Sequence, residues 1–290
     1  MKNIAIIGTF PFHSFMSGFL LEIFRNHNVV LYHTYPDNYG DIDYFKKIFN
    51  FTLNTDVNSL VNIQYTYDYI FVLSANDPCI YIINTANCYV IVHGVCIEDN
   101  PYKSILTLTK KISFPNKKLT YILPLYRGIK SDNYAERVYI TFIGHFNDKY
   151  IDDDTLNFIN NIKYKIIIIG NQNPINFKHH NLLYYHNLST EDTVNILHKT
   201  KFVIIRKPKY MTSPYSGAIA MSLSHNVPLI ASTNIQEEHC ITNCITFVEN
   251  YSECIDICNN MPDEEYQLLY QSTKFFLNET ITKNKEIIIA

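Results

Sequence analysis

The sequence predicts an α/β protein with two successive parallel sheets. Two observations predict it. Short apolar runs rich in Ile and Val alternate with helical patterns, and the alternation breaks near residue 127 and restarts near 137. Strands that are apolar along their whole length are buried on both faces, as in sheets covered by helices on either side.

In chain order, "NIAIIG" (3–8) reads as a buried strand and "SFMSGFLLEIFRN" (14–26) as a helix with Ser14 as its cap. Strands follow at "VVLYH" (29–33), "YDYIFVLS" (67–74), "CYVIVHG" (88–94) and "LTYILPLY" (119–126), whereas "CIYIIN" (79–84) fits strand or helix equally. The stretch "RGIKSDNYAER" (127–137) is polar and aperiodic and reads as a linker. The second half places strands at "RVYITFIG" (137–144), "YKIIIIG" (164–170), "NLLYYH" (181–186), "FVIIR" (202–206), "VPLIAS" (227–232) and "CITFV" (244–248). Its helices are "DDDTLNFINNI" (152–162), with acids in the first turn, and "STEDTVNILHKT" (189–200), capped by Ser189. Two more close the domain at about 250–259 and 262–276. The expected division is an N-terminal Rossmann-like domain over 1–130, a C-terminal one over 137–276 and a tail over 277–290. The two halves are expected to face each other across a cleft.

The totals set bounds. At 290 residues and 47% apolar composition the chain is long enough for two ordinary domains. A formal charge of −3 provides no general attraction to nucleic acid or to an anionic membrane. Seven cysteines, an odd number, argue for a reducing compartment rather than a disulfide framework, and so for a cytoplasmic location. "HCITNC" (239–244) and "CIDIC" (254–258) lack the tight spacing of zinc knuckles, so no metal is expected. No apolar run is long enough to span a membrane. The opening segment superficially resembles a signal peptide, but Pro11 and His13 break it and no small-residue cleavage site follows.

The chain holds eight glycines. Gly8, Gly94, Gly144 and Gly170 each end an expected strand, and Gly217 opens an expected helix. The carboxyl ends of parallel strands are where open α/β sheets bind ligands.

The order of features over residues 138–232 resembles the donor domain of GT-B glycosyltransferases. "YITFIGHFND" is similar to that family's first strand and glycine turn, and "YKIIIIGNQ" to its second strand. "NLLYYHNLSTEDTVNILHKTKFVIIR" matches its strand, turn, helix and strand. "SPYSGAIAMSLSHNVPLIAS" looks like its phosphate-binding turn and helix and the strand that follows. The resemblance implies GT-B architecture and transfer of a sugar from a UDP- or GDP-linked donor to an acceptor that is a glycan, a protein or a small molecule. It implies no metal, and an inverting course is compatible with it. Many retaining members carry two glutamates across this turn and helix; the match puts those positions on Ser213 and Met221, neither acidic.

The candidate site follows. A leaving diphosphate needs cationic and N–H donors. Arg206, Lys209, Ser213, Ser216 and Gly217 supply them in "RKPKYMTSPYSGA", where Lys207 is the least suited of the basic residues. Gly144 and His145 end the first strand of this half, and Asn187 falls where the resemblance puts a base-binding turn. In the first half, Gly8, Thr9 and His93 are candidates for the acceptor side. The resemblance points to His13, in the loop after the first strand, as general base; a carboxylate would orient it, with Asp77 one candidate and Glu98 or Asp99 others. The alternatives are a catalytically silent GT-B-fold binding protein and a nucleotide-sugar epimerase. A DNA-modifying glucosyltransferase shares the fold, and "TKKISFPNKK" (109–118) carries four lysines, but the overall charge does not favour a nucleic-acid acceptor.

Overall fold

The computed structural model describes residues 1–8, 16–74, 77, 79, 83, 87–92, 104–108, 119–129, 137–144, 151–170, 177–205, 217–239, 241–243, 245–247 and 250–289. The chain divides into two compact units. One is built mainly from Met1–Tyr126 with Thr280–Ala290, the other mainly from residues between 127 and 279.

The first unit carries a seven-stranded parallel sheet. Its strands are β1 (Asn3–Ile7), β2 (Asn28–Tyr32), β3 (Thr52–Asn54), β4 (Tyr69–Val72), β5 (Cys88–Val92), β6 (Ser104–Thr107) and β7 (Leu119–Tyr121). They lie in the order β3-β2-β1-β4-β5-β6-β7. The central strands are apolar because both faces are covered; Ile4, Ala5, Ile6 and Ile7 are fully buried. Helices α1 (Ser17–Ile23), α2 (Asp41–Lys46) and α3 (Leu60–Ile63) belong to this unit. Ser14 lies outside the described residues, and α1 starts after Met16 without a side-chain cap.

The second unit carries a six-stranded parallel sheet of β8 (Tyr139–Gly144), β9 (Lys165–Gly170), β10 (Leu182–His186), β11 (Thr200–Ile205), β12 (Leu229–Ser232) and β13 (Ile245–Phe247). Their order is β10-β9-β8-β11-β12-β13. Counted within each unit, both sheets begin 3-2-1-4-5-6, the doubly wound order of dinucleotide-binding folds. The helices are α4 (Asp153–Asn161), α5 (Thr190–Leu197), α6 (Gly217–Ser224), α7 (Thr233–His239), α8 (Glu253–Asn260) and the part of α9 (Asp263–Ile289) up to Glu279, its remainder belonging to the first unit. Asp152 caps α4 by accepting the Thr155 N–H at 2.8 Å, and Ser189 caps α5 by accepting the Asp192 N–H at 3.0 Å. Cys254 and Cys258 are packed into the core with Phe142, Phe158 and Phe202. Burial pushes the Cys254 thiol up to about 12, so it behaves as a small apolar side chain.

One expectation changes. The helix expected over 262–276 runs on to Ile289, so residues 277–289 are helical rather than a tail. The reason is a continuous buried stripe: Tyr266, Tyr270, Thr273, Leu277, Ile281, Asn284 and Ile288 recur at helical spacing, and neither Gly nor Pro interrupts it. The polar stretch 127–137 is anchored at both ends. The Gly128 N–H donates to the Ser224 carbonyl at 3.0 Å. Arg137 is buried, donates from Nη1 to the carbonyls of Thr200 and Asn226, and stacks over the Tyr270 ring at 4.8 Å.

Candidate active site

Parallel sheets bind ligands outside the carboxyl ends of the strands, at the point where the strand order reverses. In the second unit that point lies between β8 and β11. The side chains of Thr141 and Thr200 tie these two strands together at 2.7 Å. At the carboxyl end β8 finishes on Gly144, paired in register with Gly170 of β9. Gly144 has φ +124°, a conformation only glycine adopts without strain, and among the described residues a β-carbon there would meet nothing within 4 Å. The backbone turns sharply here. Beyond β10, Asn187 takes a left-handed φ of 50° and its N–H donates to the Gly170 carbonyl at 3.0 Å.

Helix α6 completes this edge. The chain leaves β11 at the carboxyl edge, and α6 then runs back along the sheet, packed on β8, β11 and β12. Its first turn, at Gly217, therefore sits at the carboxyl edge, where the positive end of the helix dipole favours an anion. Small residues allow the close packing: Ala218, Ala220 and Ser222 are buried, and the Ser222 hydroxyl is satisfied by the Ala218 carbonyl at 2.7 Å. Met221 gives its carbonyl to His225 Nδ1 at 2.6 Å. Thus Gly144, Asn187 and Gly217 stand at the carboxyl edge of one sheet. His145, Arg206, Lys209, Ser213 and Ser216 lie outside the described residues.

In the first unit the order reverses between β1 and β4. Gly8 extends β1 by donating its N–H to the Tyr32 carbonyl at 2.9 Å, and Leu73 extends β4 by donating to the Ile7 carbonyl at 2.9 Å. A β-carbon on Gly8 would stand 3.0 Å from Leu73 Cδ1, so the Leu73 side chain packs closely on the glycine. Asp77 is 1% exposed. Its Oδ1 accepts the Cys79 N–H at 2.9 Å, and its own N–H donates to the Ser74 carbonyl at 3.1 Å. The carboxylate thus holds its own turn at the carboxyl side of β4. Thr9, His13, His93, Glu98 and Asp99 lie outside the described residues.

One residue at this edge escaped the sequence reading. His33 follows β2, donates its N–H to the Asn54 carbonyl at 2.9 Å, and is 4% exposed. Its Cδ2 lies 3.9 Å from where a β-carbon on Gly8 would be, and its Nε2 has no hydrogen-bond partner. An unpartnered buried polar atom costs about 1–3 kcal/mol. Burial holds the imidazole below its ordinary value, against the pull of the Asp37 carboxylate and of the Tyr35 backbone. The Asp37 carboxylate is engaged with the N–H groups of Asp41 (2.9 Å) and Ile42 (2.8 Å). The available signal was a histidine at the carboxyl end of an apolar strand, in "VVLYH".

Among the described residues no cluster of His, Cys, Asp and Glu is arranged to hold a metal ion, and no helix is long and apolar enough to cross a membrane. No protein-family model matches the sequence, and no curated protein matches it. Solved structures do match in fold. Anabaena Alr3699/HepE, solved with UDP-glucose, superposes with a TM-score of 0.65 at 8% identity over 100% of this chain and 98% of that one. An alpha-glucosyltransferase, solved with UDP and a mismatched 13-mer DNA, gives 0.61 at 11% identity over 100% of both chains. AviGT4, a glycosyltransferase involved in avilamycin A biosynthesis, gives 0.60 at 9% identity over 100% of this chain and 99% of that one. Coverage of whole chains, together with two parallel sheets of one strand order, shows that this protein has the GT-B-type fold of two Rossmann-like units.

Proposed function

We propose that this protein is a metal-independent glycosyltransferase that moves a sugar from a UDP- or GDP-linked donor to an acceptor hydroxyl. The observation that carries the reading is the carboxyl edge of the second sheet. There β8 ends on a positive-φ glycine, and helix α6 begins at Gly217, whose N-terminal dipole end suits an anion. A diphosphate seated there accepts hydrogen bonds from that helix end, with Arg206, Lys209, Ser213 and Ser216 from the connecting segment as further donors. Asn187 and His145 complete the donor contacts. The whole-chain likeness to folds solved with UDP-glucose and with UDP supports the same assignment.

The chemistry is displacement at the anomeric carbon. The acceptor oxygen forms a bond to that carbon as the bond to the diphosphate oxygen breaks, and the nucleoside diphosphate leaves with the electron pair. The acceptor proton passes to a base, which we assign to His13. Gly8, Thr9 and His93 form the acceptor side. Attack opposite the leaving group inverts the anomeric centre, and Met221, where retaining relatives place a carboxylate, fits that course.

The test is thermal stabilisation by UDP and GDP, followed by release of UDP or GDP from the glucose-linked donors. Arg206→Ala and Lys209→Ala are expected to weaken nucleotide binding about tenfold each, the loss of one charge-assisted contact. A melting temperature unmoved by either nucleotide overturns the reading. The non-acidic residues Ser213 and Met221 favour one second reading, a binding protein without catalysis. Nucleotide binding without turnover, unchanged by His13→Ala, would establish it.

A further inference from the structure

The first unit spends a buried polar atom at its ligand edge, and nothing in the fold repays it. The backbone of His33 is fixed by the β2–β3 ladder, and its ring is turned in toward Gly8 rather than out to solvent. Leu73 and the Gly8 backbone on one side and the Asp37 turn on the other provide no partner for Nε2. The ring's bond to the Tyr35 backbone leaves Nε2 unpartnered, and that buried nitrogen carries a stability cost in the isolated chain. Such costs are kept where function uses them. The location agrees: the ring lies beside Gly8, at the reversal of strand order.

We propose that His33 is an acceptor-binding residue, whose Nε2 receives a hydrogen bond from a hydroxyl group of the acceptor at the carboxyl edge of the first sheet. The inference rests on the glycosyl-transfer reading above. Nε2 is closed off from solvent in this structure, so the hydroxyl reaches it as the ring turns about its side-chain bonds toward the edge. A neutral imidazole suits this contact because one of its nitrogens keeps a lone pair, and burial favours the neutral form. His33 positions the acceptor; the proton transfer stays with His13.

The experiment follows UDP release from UDP-glucose with methyl β-glucoside as the acceptor probe, in the wild-type chain, His33→Phe and His33→Gln. His33→Phe is expected to raise the acceptor KM about tenfold or more, the loss of one hydrogen bond, with donor KM unchanged. Its melting temperature is expected to stay close to that of the wild type, because removing the unpartnered Nε2 offsets the lost bond to the Tyr35 backbone. His33→Gln, which restores an acceptor atom, is expected to fall between. An acceptor KM unchanged in a folded His33→Phe protein overturns the assignment and leaves the transfer reading intact. Loss of UDP binding and of turnover in the wild-type protein itself is failure of that reading, and it takes the assignment with it.

Discussion

Gly128 stands against the imidazole of His225 so closely that any side chain at residue 128 would occupy the space of the ring. The contact holds the segment leaving β7 onto the carboxyl end of α6, where the Gly128 N–H also satisfies the Ser224 carbonyl. His198 reinforces it through its Nε2 contact with the Ile129 carbonyl at 3.1 Å. The far end of this same helix is the proposed phosphate cradle.

Gly128→Ala is therefore expected to destabilise the protein by about 1–3 kcal/mol through overpacking. Adding His225→Ala should relieve the clash, so the double variant should lose less than the sum of the two single losses. Urea unfolding of the four proteins measures the coupling. Strictly additive losses would show that the two residues do not compete for space.

His225 also sets a pH dependence. Burial pushes its value down to about 4, with the neighbouring His198 adding to the effect and the Met221 carbonyl opposing it. The unfolded chain then binds more protons than the folded one between about pH 4 and 6.5. The stability contribution is complete above about pH 6.5 and is lost as the pH falls toward 4, amounting to about 3 kcal/mol. His33 and His198 shift in the same direction and add to the slope. Unfolding free energies from pH 7 to 4.5 should fall for the wild type and fall less for His225→Gln. Equal slopes would remove His225 from the account.

Much of this was legible in the sequence, and the exceptions have physical causes. Runs such as "NIAII", "KIIIIG" and "TKFVII" announce doubly buried strands because every residue in them but the leading Asn3 and Lys165 is buried. Strand β3 escaped because it is short, lies at the sheet edge and carries the polar, exposed pattern Thr52–Asn54. Helices α2 and α7 are too short for a full apolar period to be counted. The end of α9 was missed because Asn284 occupies a buried stripe position as a polar residue. Asn284 Nδ2 donates to the Leu123 carbonyl at 2.6 Å, which a linear reading cannot anticipate. At the site, Gly8, Gly144 and Gly170 were readable because a glycine ending an apolar run has few other uses. His33 was not, since its significance lies in an unmet hydrogen bond that exists only in three dimensions.

Gly144 permits a test of the donor edge. At φ +124° an alanine meets no neighbour among the described residues, so Gly144→Ala carries backbone strain, about 1–3 kcal/mol. If this turn cradles the donor, UDP affinity should fall by at least the same proportion as the turn is distorted. Calorimetric titration of UDP alongside thermal unfolding separates the two. A strained, less stable variant that binds UDP as tightly as the wild type would place the donor elsewhere.

Asp77 allows structure and catalysis to be separated at one position. Its carboxylate holds the Cys79 N–H in a buried turn, a job that an amide oxygen performs equally well. Asp77→Asn keeps that acceptor and removes the negative charge, whereas Asp77→Ala removes both. The alanine variant is expected to lose about 1–3 kcal/mol of stability, because a buried N–H is left unmade. The asparagine variant should unfold like the wild type. If the charge also orients and stabilises a protonating His13, Asp77→Asn should lower kcat without moving the donor KM. His13→Ala should lower it by about 10²–10⁴-fold, the usual span of a lost general base. Full activity in Asp77→Asn together with a crippled His13→Ala would confine Asp77 to its turn and leave His13 oriented by another group.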